Sequence, residues 1–300
     1  MRVTSNMSAD SSIYNIQKGR AKLDKLQELT SSGQYVNRPS DDPINTRLLL
    51  DIGDKIKTGD VYLSNIKKSA IWQQFTNTAL TGMSDTMRLA KQQIATIAGG
   101  SSDPTIRQNA VSQLQALKQQ MIDLGNMRQG DQYIFGGADN TTAPFSGTAP
   151  YYSGDETGLK IEIGAATTQQ MNIPGNQLLT ADGAASQPYG TVNILKSFDD
   201  LITAINANDA AGIATGALAL NDGAKQINNA QSDVSARLMR LDSMTKLNDN
   251  TRNTLMAVYS NTQNVDYAKL GVELSQQKIA FEASLSATAK ISQLSLLDYM

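Results

Sequence analysis

No proline interrupts positions 44 to 103, and through that interval apolar side chains keep a helical rhythm. Leu80, Met83, Met87, Ala90, Ile94 and Ile97 advance by three and four in alternation, which places all six on one seam of a helix. Upstream, Ile44, Leu48, Ile52, Ile56, Leu63, Ile66 and Ala70 extend the period from a strong start, with Asp42 as cap and Pro43 in the first turn. A helix from 44 to about 98 is roughly 80 Å long at about 1.5 Å per residue, too long for an ordinary compact domain. Gly53, Gly59 and Gly82 each cost it about 1 kcal/mol and are places where it can bend.

The rest of the chain fits around that helix. Gly99 to Pro104 reads as a turn, with Asp103 and Pro104 starting a second helix that Ile106, Ala110, Leu117, Met121 and Leu124 mark, which closes a helical hairpin. Beyond Ile213 the rhythm returns at Ala217, Leu220, Ala224, Ile227, Val234, Leu238 and Leu241, and residues 189 to 300 hold no proline. Between these arms the composition changes, since residues 136 to 190 carry 9 of the 22 glycines and 4 of the 7 prolines. There Leu159 to Ile163 alternate as a half-buried strand does, and Met171 and Ile173 repeat the pattern. The expected fold is therefore mainly α with a β-rich insert, an elongated bundle of long antiparallel helices formed by both chain ends and carrying a small β domain. Its expected parts are an N-terminal helix and turn (1–43), a helical hairpin (44–132), the β-rich insert (133–190), returning helices (191–262) and a C-terminal helix (263–300).

The two ends carry apolar stripes that neither end can bury alone: Ile13, Ile16, Leu23 and Leu26 at one, Leu270, Leu274, Phe281, Leu285, Leu294 and Leu297 at the other. Antiparallel packing of the terminal helices shelters part of both. An isolated pair of thin helices is marginal, because helix stability comes mostly from tertiary burial. We therefore expect the ends to be loosely ordered in a monomer and fixed once neighbouring copies cover them. These ten residues are the candidate assembly interface.

Chemistry is harder to place in this sequence. It contains no Cys and no His, which removes thiolate and imidazole metal sites, Cys nucleophiles and the Ser/His/Asp relay. Ser64-Asn65-Ile66-Lys67 and Lys57-Thr58-Gly59 imitate two motifs of serine acyl-enzymes, but in the wrong order and on a predicted helix. Asp41 and Asp42 read more simply as a helix start than as paired catalytic carboxylates. Gly136-Gly137 lacks the spacing of a phosphate loop, and Asn140-Thr141-Thr142 fits a glycosylation sequon of low specificity. We expect no enzyme, no catalytic residue, no metal and no cofactor. With 26 basic against 28 acidic residues there is no electrostatic reason to expect nucleic acid. The insert is the most one-sided region, with six acidic groups and one basic, Lys160, over residues 131 to 191. No apolar run approaches the roughly 20 residues of a membrane span, and Met1 to Asp10 do not form a cleavable secretory signal.

Three stretches carry a family resemblance. Leu29-Thr30-Ser31-Ser32-Gly33, followed by Val36-Asn37-Arg38-Pro39-Ser40-Asp41-Asp42-Pro43, resembles the N-terminal signature of flagellar hook-associated proteins and, more distantly, of flagellins. Gln132-Tyr133-Ile134-Phe135-Gly136-Gly137, with Pro144-Phe145 and Tyr152-Ser153-Gly154-Asp155, is similar to the start of the β domain in the hook–filament junction members of that family. Ala283-Ser284-Leu285-Ser286-Ala287-Thr288-Ala289-Lys290-Ile291 and Ser295-Leu296-Leu297-Asp298-Tyr299 look like the common ending of axial flagellar proteins. Gln34 and Tyr35 stand where the family often has basic residues, and Asn176 to Leu179 follow Gly175 where it often has an aromatic. The resemblance implies a structural protein of the bacterial flagellum, exported without a cleaved signal through the flagellar type III apparatus and polymerised between hook and filament. It implies as partners other copies of the chain, an adjacent hook-associated protein, flagellin and an export chaperone. A flagellin filament subunit is the alternative, and a surface enzyme acting through the β insert a remote one.

Overall fold

The computed structural model describes residues 5–98, 103–181 and 187–297, with side chains from 10–97, 103–181 and 187–290. The expected turn at Gly99 to Ser102 lies outside them. The chain is mainly helical: α1 (Ser5–Ser32), α2 (Pro43–Ala98), α3 (Pro104–Gly125), β1 (Arg128–Gln129), β2 (Gln132–Tyr133), β3 (Lys160–Gly164), β4 (Thr167–Gln170), α4 (Ile194–Asn206), α5 (Ala210–Gln263) and α6 (Tyr267–Leu297). It forms two compact units, one of residues up to Thr58 together with those from Thr251 on, the other Gly59–Asn250, so α2 and α5 each run from one unit into the other.

In the Gly59–Asn250 unit, α2 and α5 lie antiparallel. Asn248 donates to the Gly59 carbonyl at 2.9 Å, Gln231 to Thr81 Oγ1 at 3.2 Å and Lys91 to Asn221 at 2.8 Å, so one helix rises as the other descends. All six residues of the predicted seam from Leu80 to Ile97 are buried, and Met83 and Met87 are core residues. Small residues allow the other helices to come close. Leu124 of α3 packs 3.0 Å from where a Cβ on Gly82 would stand, and Leu201 of α4 sits 2.8 Å from the same point at Gly216 of α5. Lys118 of α3 holds Asp199 of α4 at 2.7 Å. Asp103 caps α3 by accepting from the Thr105 amide, with Pro104 in the first turn as expected. Farther upstream on α2 the expected stripe slips only at its start: Ile44 and Leu48 are exposed and Leu49 is buried instead, whereas Ile52 and Ile66 are buried as expected.

The described part of the insert is mostly irregular backbone, with the short β1–β2 ribbon at its entry and the β3–β4 ribbon within it. The expected strand Leu159 to Ile163 appears as β3, paired antiparallel with β4 in the register Lys160↔Gln170 and Glu162↔Thr168. The second strand lies just before Met171 and Ile173, which continue in irregular backbone. This ribbon rests on the helices. Asn65 donates to the Glu162 carbonyl, Gln73 to those of Gln170 and Met171, and Ile163 packs with Ile66 and Leu241. Ile134, Phe135, Phe145, Ile173, Leu178 and Leu179 belong to the same buried cluster as Leu80, Met83 and Met87. The insert thus shares its core with the helical hairpin. Asn140 of the sequon is buried, with its carbonyl accepting from the Tyr133 amide, and is no ready acceptor for a glycan.

Candidate assembly surface

The terminal unit is built around two chain breaks. α1 ends at Gly33, whose φ of +69° is the left-handed conformation that favours glycine and whose amide donates to the Leu29 carbonyl at 3.0 Å. A Cβ there would also stand 2.5 Å from the Tyr267 hydroxyl oxygen. α5 breaks over Asn264 to Asp266, and Asp266 restarts the helix by accepting from the Ala268 and Lys269 amides. The two breaks are stitched together, since the Tyr35 amide donates to Gln263 at 2.6 Å and the Val265 amide to Gly33 at 3.2 Å.

The two adjacent aspartates divide the work at the start of α2. Asp42 caps it, accepting from the Asn45 amide at 3.0 Å. Asp41 turns back to α1, where it meets Lys25 at 2.8 Å and accepts from the Arg38 amide at 3.1 Å. Glu28 completes the cluster, 3.2 Å from Lys25 and 3.5 Å from Arg38. Hydrogen bonding to Lys25 holds the Asp41 carboxyl below its ordinary value, and the same bond raises the Lys25 ammonium. These groups face solvent, so the cluster fixes geometry more than it adds stability.

From this joint α1 and α6 run antiparallel. Leu26, Leu29 and Leu270 form a small buried cluster, with Val265 and Leu274 against it. Farther along, Gln277 donates to the Gly19 carbonyl at 3.2 Å, and Phe281 lies 3.3 Å from where a Gly19 Cβ would stand. Among the ten candidate interface residues, Leu26 and Leu270 are buried, and Ile16, Leu23, Leu274 and Phe281 are half-buried. Ile13 and Leu285 are exposed at 52% and 43%. The side chains of Leu294 and Leu297 lie outside the described residues.

Sequence reasoning missed a second apolar face. Val272 and Ile279, seven residues apart on α6, are exposed at 58% and 64%, and Tyr14 of α1 and Tyr267 are exposed as well. Val272 stands about 200° around the helix from Leu274, so α6 carries apolar side chains both toward α1 and away from it. A helix apolar on opposite sides is normally covered on both. The signal lay in the spacing of Val272 and Ile279, but a search for one seam reads them as outliers.

The chain matches two family models, the bacterial flagellin N-terminal helical region over residues 3–139 and the bacterial flagellin C-terminal helical region over residues 219–300. The chain belongs to the flagellin family. The flagellar hook-associated protein 3 of Escherichia coli K12 is 24% identical over 314 residues, covering 99% of each chain. The flagellin of Bacillus subtilis 168 is 22% identical over 304 residues, covering 98% of this chain and 97% of its own. Among solved structures, the flagellar junction protein of Legionella pneumophila shares the fold, with a TM-score of 0.58 at 14% identity over 74% of this chain and 100% of that one. No helix among the described residues is long and apolar enough to cross a membrane.

Proposed function

We propose that this protein is a structural component of the bacterial flagellum, a hook-associated protein that polymerises at the junction between hook and filament and supports filament assembly. The observation that carries the reading is the terminal pair, which buries one narrow seam and leaves Ile13, Val272, Ile279 and Leu285 exposed. A head-to-tail contact between copies generates a ring or helix, and such a surface is what the contact would cover. The Pro39-Ser40-Asp41-Asp42-Pro43 turn, which favours hook-associated proteins over flagellins, is here the element that holds α1 to the start of α2. We read its neighbours as other copies of itself, a hook-associated protein on the hook side and flagellin on the filament side. Export through the type III apparatus with a cytoplasmic chaperone follows from the same reading, as does a non-enzymatic role.

The likeness to a flagellin over nearly the whole chain favours the filament-subunit reading as the second. Immunogold labelling separates the two: label confined to the point where hook meets filament supports the junction, and label along the filament supports the subunit. Leu285→Asp tests the surface. It places a charge on a seam expected to be buried in the polymer, so assembly should fail while the circular dichroism of the purified chain is retained. Normal filament growth from a strain carrying only that variant refutes the assembly role of this seam.

A further inference from the structure

In the Gly59–Asn250 unit the insert and the start of α4 frame a cleft of about 660 Å³, within the range of small-molecule sites. Its lining includes Tyr151, Tyr152, Glu156, Asn176, Thr180 and Gln187. Both tyrosine hydroxyls are engaged. Tyr151 donates to Asp199 at 2.7 Å, and Tyr152 donates to the Asp155 carbonyl at 2.7 Å while accepting from the Gly175 amide at 3.3 Å. With their tips occupied, the two residues offer the cleft ring carbon rather than free hydroxyl.

The rings are also held in place. Tyr152 packs against Phe145 with centroids 5.2 Å apart and tilted by 54°. Gly175 is required beside them, because a Cβ there would stand 2.3 Å from Phe145 and 2.5 Å from Tyr152. Lys118 sits 5.4 Å over the Tyr151 ring and is itself fixed on Asp199. A rigid apolar platform loses little entropy on binding.

The polar groups around the platform behave differently. The Glu156 carboxylate, the Thr180 hydroxyl and the Gln187 amide make no side-chain hydrogen bond among the described residues, and Asn176 Oδ1 is buried without a partner. The cleft therefore combines fixed aromatic carbon with unengaged carboxylate, amide and hydroxyl groups, each able to donate to or accept from a hydroxyl. A sugar ring has the matching chemistry, with C–H groups on its faces and hydroxyls, both donor and acceptor, around its edge. Charge narrows the choice. Lys196 in the lining is held by Asp200 at 2.6 Å and Lys118 over the Tyr151 ring by Asp199 at 2.7 Å, and the surrounding segment is acidic by six groups to one. Anionic sugars are disfavoured there.

We propose that this cleft is a binding site for neutral oligosaccharides, with Tyr151 and Tyr152 as the stacking platform and Glu156 and Gln187 as hydroxyl readers. The cleft is lined within the Gly59–Asn250 unit alone, so the test uses the full-length free chain. It is applied to a printed glycan array spanning neutral, amino and acidic sugars, and the neutral hits are then measured by saturation-transfer difference NMR. The expected result is binding to one class of neutral glycan, with saturation on sugar C–H protons. The double variant Glu156→Ala/Gln187→Ala should weaken it at least about tenfold, equivalent to about 1.4 kcal/mol. Its thermal unfolding should match the parent, since neither side chain holds the fold together. No array binding, a preference for acidic glycans, or undiminished binding by a folded double variant would each overturn the assignment.

Discussion

Gln226 of α5 is 1% exposed and is the polar clamp of the insert. Its Nε2 donates to the carbonyls of Leu178 and Val192, and its Oε1 accepts from the Val192 amide at 3.1 Å, so one side chain grips both ends of the segment between those residues. Gln226→Leu keeps much of the volume and strands three backbone groups away from solvent. Each stranded group costs about 1–3 kcal/mol, and partial rearrangement recovers some of that, so we expect a loss of about 3–5 kcal/mol. Trp72 is the single tryptophan and belongs to the same buried cluster as Leu178 and Leu179, so its fluorescence reports the unfolding of this core in urea. With a slope of about 2–3 kcal/mol per molar, the midpoint should fall by about 1–2.5 M. Gln92→Leu, at an exposed site on α2, is the control and should stay within about 0.5 kcal/mol. A fall below about 0.3 M, or an equal fall in the control, would refute the clamp.

Other predictions concern the terminal joint. Gly33→Ala should cost about 1–2 kcal/mol locally and speed amide exchange at residues 33–36 and 263–267, because the left-handed backbone and the nearby Tyr267 hydroxyl both oppose a Cβ. Tyr267→Phe in that background should recover part of the protection by removing the closest atom, and no recovery would assign the whole effect to the backbone. The Lys25–Asp41 tie should hold through neutral pH. The depressed Asp41 carboxyl stabilises the fold above its ordinary value of 3.8 and loses that contribution as pH falls through the lower folded value. The raised Lys25 ammonium acts below 10.5 and loses its contribution as pH climbs through the higher folded value. The side-chain resonances of Lys25 should therefore shift at both extremes, and Asp41→Asn should reduce the acid limb, leaving what the Glu28 contact contributes.

Long-range order was legible because periodicity is written locally. The seam from Leu80 to Ile97, the Asp42 and Asp103 caps and the β3 strand all follow from spacing and a few turn residues. Where the returning helices break was not legible, because a proline-free stretch reads as continuous. The break after α4 is instead set by Asn208 at a φ of +54° and by Asp209, whose carboxylate accepts from the Ala211 amide. Gln226 was invisible for a different reason: glutamine on a helix gives no sign that it will be buried against backbone 34 residues away. At the candidate interface, the ends showed their stripes but not which side of each helix its partner would take. Leu26 and Leu270 meet near the joint, whereas Ile13 and Leu285 stay exposed, and Val272 and Ile279 form a face that belongs to neither stripe.

Amide hydrogen exchange decides whether neighbouring copies complete the terminal pair. Exchange is measured over residues 10–32 and 267–290 in the free chain and in the chain incorporated into isolated hook–filament complexes, with residues 66–97 as the internal reference. Both terminal segments should exchange much faster than the reference in the free chain and approach it after assembly. Equal protection of all three segments in the free chain, or terminal exchange that assembly leaves unchanged, would contradict completion by neighbouring copies.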